Sequence, residues 1–125
     1  MPVSRAELFE HRPAELEVIL PEPEHCFRWL EHDYPYELAR WNHHPEFEIH
    51  LIRQGSGKLV AGDYIGAFSA GHVALIGPDL PHDWIGDLAP GEYLSGRDVV
   101  LQFDGAALLA LRETLPELGD LQALF

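Results

Sequence analysis

The sequence predicts an all-β sandwich or barrel followed by a short helical tail, and three observations predict it. Turn signals built from Gly, Pro and Asp recur between Gly55 and Gly91 at about ten-residue spacing. The runs between them are short and rich in β-branched, aromatic and aliphatic residues, with Phe47, Ile49 and Leu51 alternating against polar neighbours. A three- and four-residue apolar period appears only after Asp104, in Ala107, Leu108, Leu111 and Leu115.

With 125 residues the chain has the length of a single domain with one core, so residues 1–125 are read as one unit. Its 46% apolar content lies far from the composition of disordered chains. The balance of 8 basic and 21 acidic residues gives a net charge of -13, which repels phosphate backbones and excludes direct nucleic-acid binding by this chain. No apolar run is long enough to cross a bilayer, and the start of the chain lacks the apolar region of a leader. A soluble, cytoplasmic protein without membrane partners is expected. The single Cys26 makes no internal disulfide and reads as a small core residue.

Residues 1–13 carry no periodic signal and are expected to form a loosely packed arm. Glu15 to Leu20, closed by Pro21 and Pro23, reads as a strand. So does Cys26 to Tyr34, with Phe27 and Trp29 on one face and Arg28 and His32 on the other. A short segment from Tyr36 to Arg40 leads into the strand centred on Phe47 to Ile52. Gly55-Ser56-Gly57 is expected to turn a hairpin into Lys58 to Ala61, and Gly62-Asp63 a second turn. Ile65 to Phe68, His72 to Ile76, His82 to Ile85 and Asp98 to Phe103 complete the strands. Residues 105–125 form the helical exit, with Asp104 as its cap and Pro116 as its stop. Leu121, Leu124 and Phe125 end the chain on apolar side chains, as expected if a longer protein continues or a partner subunit covers them.

Imidazole and carboxylate side chains concentrate between Trp41 and Trp84. Two His and one carboxylate suit iron, manganese, zinc or nickel, and His44, Glu48 and His82 are the candidate set. On an unbroken strand His44 and Glu48 share a face but stand about 13 Å apart, too far to hold one ion. A break at His44-Pro45 would bring them together. The competing reading makes Glu46, Glu48 and His50 the solvated face of an edge strand whose core face is Phe47, Ile49 and Leu51. His43 and His72 read as turn or surface histidines, and Trp29, Tyr34, Tyr64 and Trp84 as core or rim aromatics. Ser56 lacks the strand-turn-helix setting of a nucleophile elbow, and Gly55-Ser56-Gly57-Lys58 lacks the spacing of a phosphate-binding loop.

Asn42, His44, Glu48 and Gly55 resemble the first motif of the cupin superfamily, in which two histidines, a glutamate and a glycine stand at these intervals. Gly71, Pro78 displaced by one position, and His82 resemble the second. Asn42 replaces the first histidine, beside His43, and Asp79 and Gly86 replace a usual Gly and Asn. Over a longer span, the His-Pro-Glu-aromatic-Glu core, the Gly-Asp-x-Ile-Gly turn and the Gly-Pro-x-Leu-Pro-His segment are similar to the N-terminal sensory domain of AraC-type transcription regulators. The resemblance runs from Trp41 to Phe125. It implies a cupin-like double-stranded β-helix, a jelly-roll barrel with one or two C-terminal helices, that binds a small-molecule effector. It also implies control of helix-turn-helix DNA-binding motifs beyond this chain.

On that reading Asn42, His44, Glu48, His50, His82 and Trp84 line or border the pocket, as polar contacts or, for His44, Glu48 and His82, as metal ligands. The Leu108, Leu111 and Leu115 helix would form a homodimer surface or simply cover the barrel. The alternative is a stand-alone metal-dependent cupin enzyme, an oxygenase or isomerase, with Glu46 available as a base.

Overall fold

The computed structural model describes residues 14–18, 27–35 and 41–124. The arm, the Tyr36 to Arg40 segment, Cys26 and Phe125 lie outside them. Among the described residues nine strands come first: β1 Glu15–Leu16, β2 Phe27–Tyr34, β3 Asn42–His43, β4 Phe47–Ile52, β5 Gly57–Ala61, β6 Tyr64–Phe68, β7 Val73–Ile76, β8 His82–Gly86 and β9 Leu94–Phe103. Helix α1 spans Gly105–Ala110, and 3-10 turns follow at Leu111–Glu113 and Pro116–Leu124.

The strands form two sheets, one in the order β1-β3-β8-β5-β6 and the other in the order β2-β9-β4-β7. Among the described residues all pairings are antiparallel except that of β1 with β3. Ile52 and Ile76 from one sheet meet Leu59, Ala61, Phe68 and Trp84 from the other in a buried apolar cluster. The sheets therefore face each other across one interior.

Strand β4 inverts the sequence expectation. Glu48, His50 and Ile52 are buried towards the interior, while Ile49 is 38% exposed. The reading of Glu48 and His50 as a solvated face is thus overturned. Phe47, on the outward side, is covered by Phe103, whose ring stacks on it at 5.5 Å, and by the start of α1. Alternation fixed which residues share a face but not which face is inside. Register then aligns Trp29, Leu101, Ile49 and Leu75 in one outward apolar row across four strands.

Gly55-Ser56-Gly57 does not turn a hairpin. β4 and β5 belong to different sheets, so this segment carries the chain from one to the other. Gly57 is needed there for close approach, because a Cβ would lie 1.9 Å from the Ile85 carbonyl oxygen on β8. Gly62-Asp63 does turn the β5-β6 hairpin.

Of the strand expected over Glu15 to Leu20, the described residues form a regular strand at Glu15–Leu16, with Ile19 and Leu20 outside the described residues, and β9 begins four residues earlier than Asp98. Asp104 caps α1, its Oδ1 accepting a hydrogen bond from the Ala106 amide at 2.9 Å. The α-helical turn ends at Ala110 instead of reaching Pro116, which itself opens a 3-10 segment.

Candidate functional site

The break anticipated at His44-Pro45 is a change of sheet. β3 lies in the first sheet and β4 in the second, so residues 44–46 cross the interior edge and fold His44 back over Glu48. His82 arrives from β8, where its neighbour across the ladder is Asn42. One ligand atom each from His44, Glu48 and His82 lies within 4.8 Å of the others, and all three side chains are buried.

Each imidazole is oriented by its other nitrogen. His44 Nδ1 meets the Glu46 carbonyl at 3.1 Å, and His82 Nδ1 meets the Leu80 carbonyl at 2.8 Å. A carbonyl only accepts, so both Nδ1 atoms donate and both Nε2 atoms face the carboxylate of Glu48, at 3.3 and 3.4 Å. His44 Nε2 nevertheless has no hydrogen-bond partner, although it is fully enclosed. Two inward nitrogens and a carboxylate converging on one point, one of them orphaned, is the donor set of a divalent cation. A proton on His44 is the alternative occupant.

Electrostatics agree with a site that attracts positive charge. Burial pushes the Glu48 carboxyl up, but its imidazole neighbours His44, His50 and His82 outweigh that and hold it well below the ordinary range. Burial likewise depresses His44, and the carboxylate of Glu48 beside it more than compensates, so its pKa is raised.

His50 extends the cluster. Its Nδ1 bonds Glu48 Oε2 at 2.9 Å, its Nε2 lies 3.3 Å from Asp98 Oδ2, and its ring stacks on Trp84 at 4.2 Å. Asp98 also accepts from Arg97 at 2.9 and 3.0 Å and contacts His32 at 3.2 Å. Opposing its burial, these partners hold the Asp98 carboxyl far below its ordinary value. Asp83, by contrast, is pushed up to about 6 by burial.

A cavity of about 50 Å³ joins these groups, running from Glu48, His82 and Gln102 outward to Glu17 beyond β1 and to His32 and Asp33 on β2. It opens between strands that edge different sheets. Ligand pockets for drug-sized molecules measure about 300–1,000 Å³, so this one takes an ion, a few waters or a very small molecule.

All six residues singled out from the sequence, Asn42, His44, Glu48, His50, His82 and Trp84, are buried and brought to this interior. His43 instead pairs with Asp79 at an exposed position. His72 turns its ring edge to Trp84 at 5.6 Å. Sequence reasoning missed Gln102, Asp98 and Arg97. The signal was present in Asp98, Val100 and Gln102, which alternate along β9 and place two polar side chains on one face of a run otherwise read as uniformly buried.

The sequence model of the AraC-like ligand-binding domain matches residues 26–94, more than half of the chain. The chain belongs to that family. This AraC-like domain is a cupin-type all-β barrel with C-terminal helices.

Similar solved structures include a cupin 2 conserved barrel domain protein from Rhodopseudomonas palustris, at 15% identity and TM-score 0.44 over 82% of this chain and 74% of that one. A cupin 2 conserved barrel domain protein from Salinispora arenicola shows 21% identity and TM-score 0.43 over 70% and 73%. The plu4264 protein from Photorhabdus luminescens shows 19% and 0.46 over 72% and 83%. No curated protein matches the chain.

Proposed function

We propose that this AraC-like domain is the effector-sensing, dimerising part of a cytoplasmic transcription regulator, residues 1–125 forming one sensory unit. Its polar interior around His44, Glu48 and His82 is the seat of the effector or of a metal ion that helps hold it. The observation that carries this reading is the match to a ligand-binding family in a barrel that encloses a polar, partly unsatisfied site. An apolar core alone would have been more stable, since buried charges cost several kcal/mol each to desolvate. Keeping them is sensible where something must bind.

Asn42, His50 and Trp84 border the seat, while His44, Glu48 and His82 are the residues that would hold a metal. A bound divalent ion would supply a Lewis-acid contact to an effector oxygen or nitrogen. The residues themselves bind, orient and exclude water.

The link to an attached domain runs through β9. Gln102 Nε2 donates to Glu48 Oε1 at 3.1 Å, and the next residues, Phe103 and Asp104, lead into α1. Phe47 is Glu48's neighbour and packs against Phe103 and Gly105, so a shift of Glu48 is felt at the helix start. Leu111 and Leu115 are 48% and 51% exposed on the exit segment and are the proposed dimer contact, along with Leu108. Differential binding to two positions of this segment would supply the coupling. With a charge of -13, DNA contact falls to a region encoded after Phe125.

The convergence of His44, Glu48 and His82 also favours a second reading, a metal-dependent cupin enzyme. Reading the gene downstream of the Phe125 codon separates them. A basic helix-turn-helix region is the expected result, and a stop codon there overturns the sensor.

A further inference from the structure

The interior holds a second feature, at Glu48 Oε1, the carboxylate oxygen that also faces His44. Gln102 is 4% exposed and lines the cavity. Its amide nitrogen must face Glu48, because a carboxylate accepts and does not donate. Its carbonyl oxygen is thereby fixed as an acceptor, and it has no partner. A buried acceptor left unpaired costs about as much as a lost hydrogen bond, so the position calls for a donor.

The charges around it point the same way. Asp83 is 9% exposed, and neither it nor Glu17 makes an ion pair among the described residues, yet both border the cavity. Asp33 adds a third carboxylate at the open end. Among the described residues Arg97 is the single Lys or Arg in the lining, and its guanidinium is already engaged by Asp98 and by the Trp84 carbonyl at 2.9 Å. No guanidinium or ammonium of the described lining is left over to receive an anion, and the lining imidazoles of His32, His50 and His82 already face Asp98 or Glu48.

Resting on the reading of this cavity as the effector seat, we infer that it takes a compact cation, an ammonium or amidinium group, whose N–H donates to the Gln102 carbonyl. Carboxylate and phosphate ligands are turned away. The strongly acidic chain concentrates small cations near the opening. The volume of about 50 Å³ limits the enclosed part to a few non-hydrogen atoms.

Three probes of similar size test this: methylammonium, acetate and acetamide, titrated into the intact chain at matched ionic strength. Thermal unfolding and Trp fluorescence are the readouts, the latter because His50 stacks on Trp84 beside the cavity. The expected result is a saturable response to methylammonium at concentrations at least about tenfold below those needed for acetamide, with none to acetate. Gln102→Leu should weaken the methylammonium response by about tenfold, the worth of one charged hydrogen bond. Asp83→Asn provides a second variant that leaves Glu48 untouched, and it should weaken the response in the same direction.

Saturable binding of acetate in preference to methylammonium overturns the cation assignment and leaves the sensor reading standing. A methylammonium response unchanged in both variants overturns it too, by locating the probe elsewhere. No response to any probe also overturns it, while the downstream gene sequence decides the sensor reading separately.

Discussion

Replacing Asp98 by Asn removes one charge from the interior while keeping the shape of the side chain. Asp98 is 1% exposed, and Arg97, at 2%, sends two N–H groups to its Oδ2 at 2.9 and 3.0 Å. The guanidinium also lies 3.9 Å over the Tyr34 ring, so it is locked in place and cannot turn out to water. Asp98→Asn therefore strands a buried cation, and breaking such a pair costs about 3–5 kcal/mol. Against a total stability of about 5–15 kcal/mol for an ordinary domain, this lowers Tm by roughly 10–20 °C. Urea unfolding at neutral pH measures it.

Adding Arg97→Met to Asp98→Asn removes the stranded charge and should recover at least about 1 kcal/mol. The pH dependence has a definite sign. Asp98 has its folded pKa depressed, so its contribution is complete above its unfolded value of about 3.9 and is lost as pH falls through the lower folded value. Asp98 also raises its partner His50, whose share of the gap is complete below the unfolded imidazole value of about 6.5 and is lost as pH rises through the raised folded value. The gap between wild type and Asp98→Asn should therefore be constant between about pH 4 and pH 6 and narrow on either side. A cost under about 1 kcal/mol, or a double variant no better than the single one, would refute the reasoning.

Two further substitution tests follow from the inverted face of β4 and from the β9-to-helix junction. Ile52→Ala, at a fully buried position, should cost about 2–5 kcal/mol, whereas Ile49→Ala at 38% exposure should cost under about 1 kcal/mol in the same urea assay. The opposite order would restore the face assignment read from the sequence. Gly105→Ala would set a Cβ 2.4 Å from Phe47 Cε2, so overpacking should cost about 1–3 kcal/mol, and Phe47→Leu in that background should return part of it.

The strands were legible because turn residues and alternation are local signals: Gly62-Asp63 turns the β5-β6 hairpin as read, and Asp104 caps α1 as read. What alternation cannot carry is the polarity of the interior. Phe47, Ile49 and Leu51 have the look of a core face, and a barrel that buries Glu48 and His50 instead reverses the usual sign. Glycines raised a similar ambiguity. Gly57 signals permissive backbone, but only the contact with Ile85 distinguishes a sheet crossing from a hairpin.

The site was legible in part. His44 and Glu48 fell together because the suspected break at Pro45 is where the chain changes sheets. Arg97, Asp98 and Gln102 were hidden in β9, whose pairing with β4 sets Gln102 opposite Glu48 and is a long-range fact that no local pattern encodes.

The claim beneath all of this is that His44, Glu48 and His82 form one enclosed ligand-holding group. Isothermal titration of zinc, as a probe ion, into chelator-stripped protein tests it most directly, with His82→Ala and His43→Ala run alongside. The account predicts one site per chain, weakened at least about tenfold by His82→Ala and untouched by His43→Ala, whose ring sits outside with Asp79. Absence of stoichiometric binding, or equal affinity in wild type and His82→Ala, would contradict it.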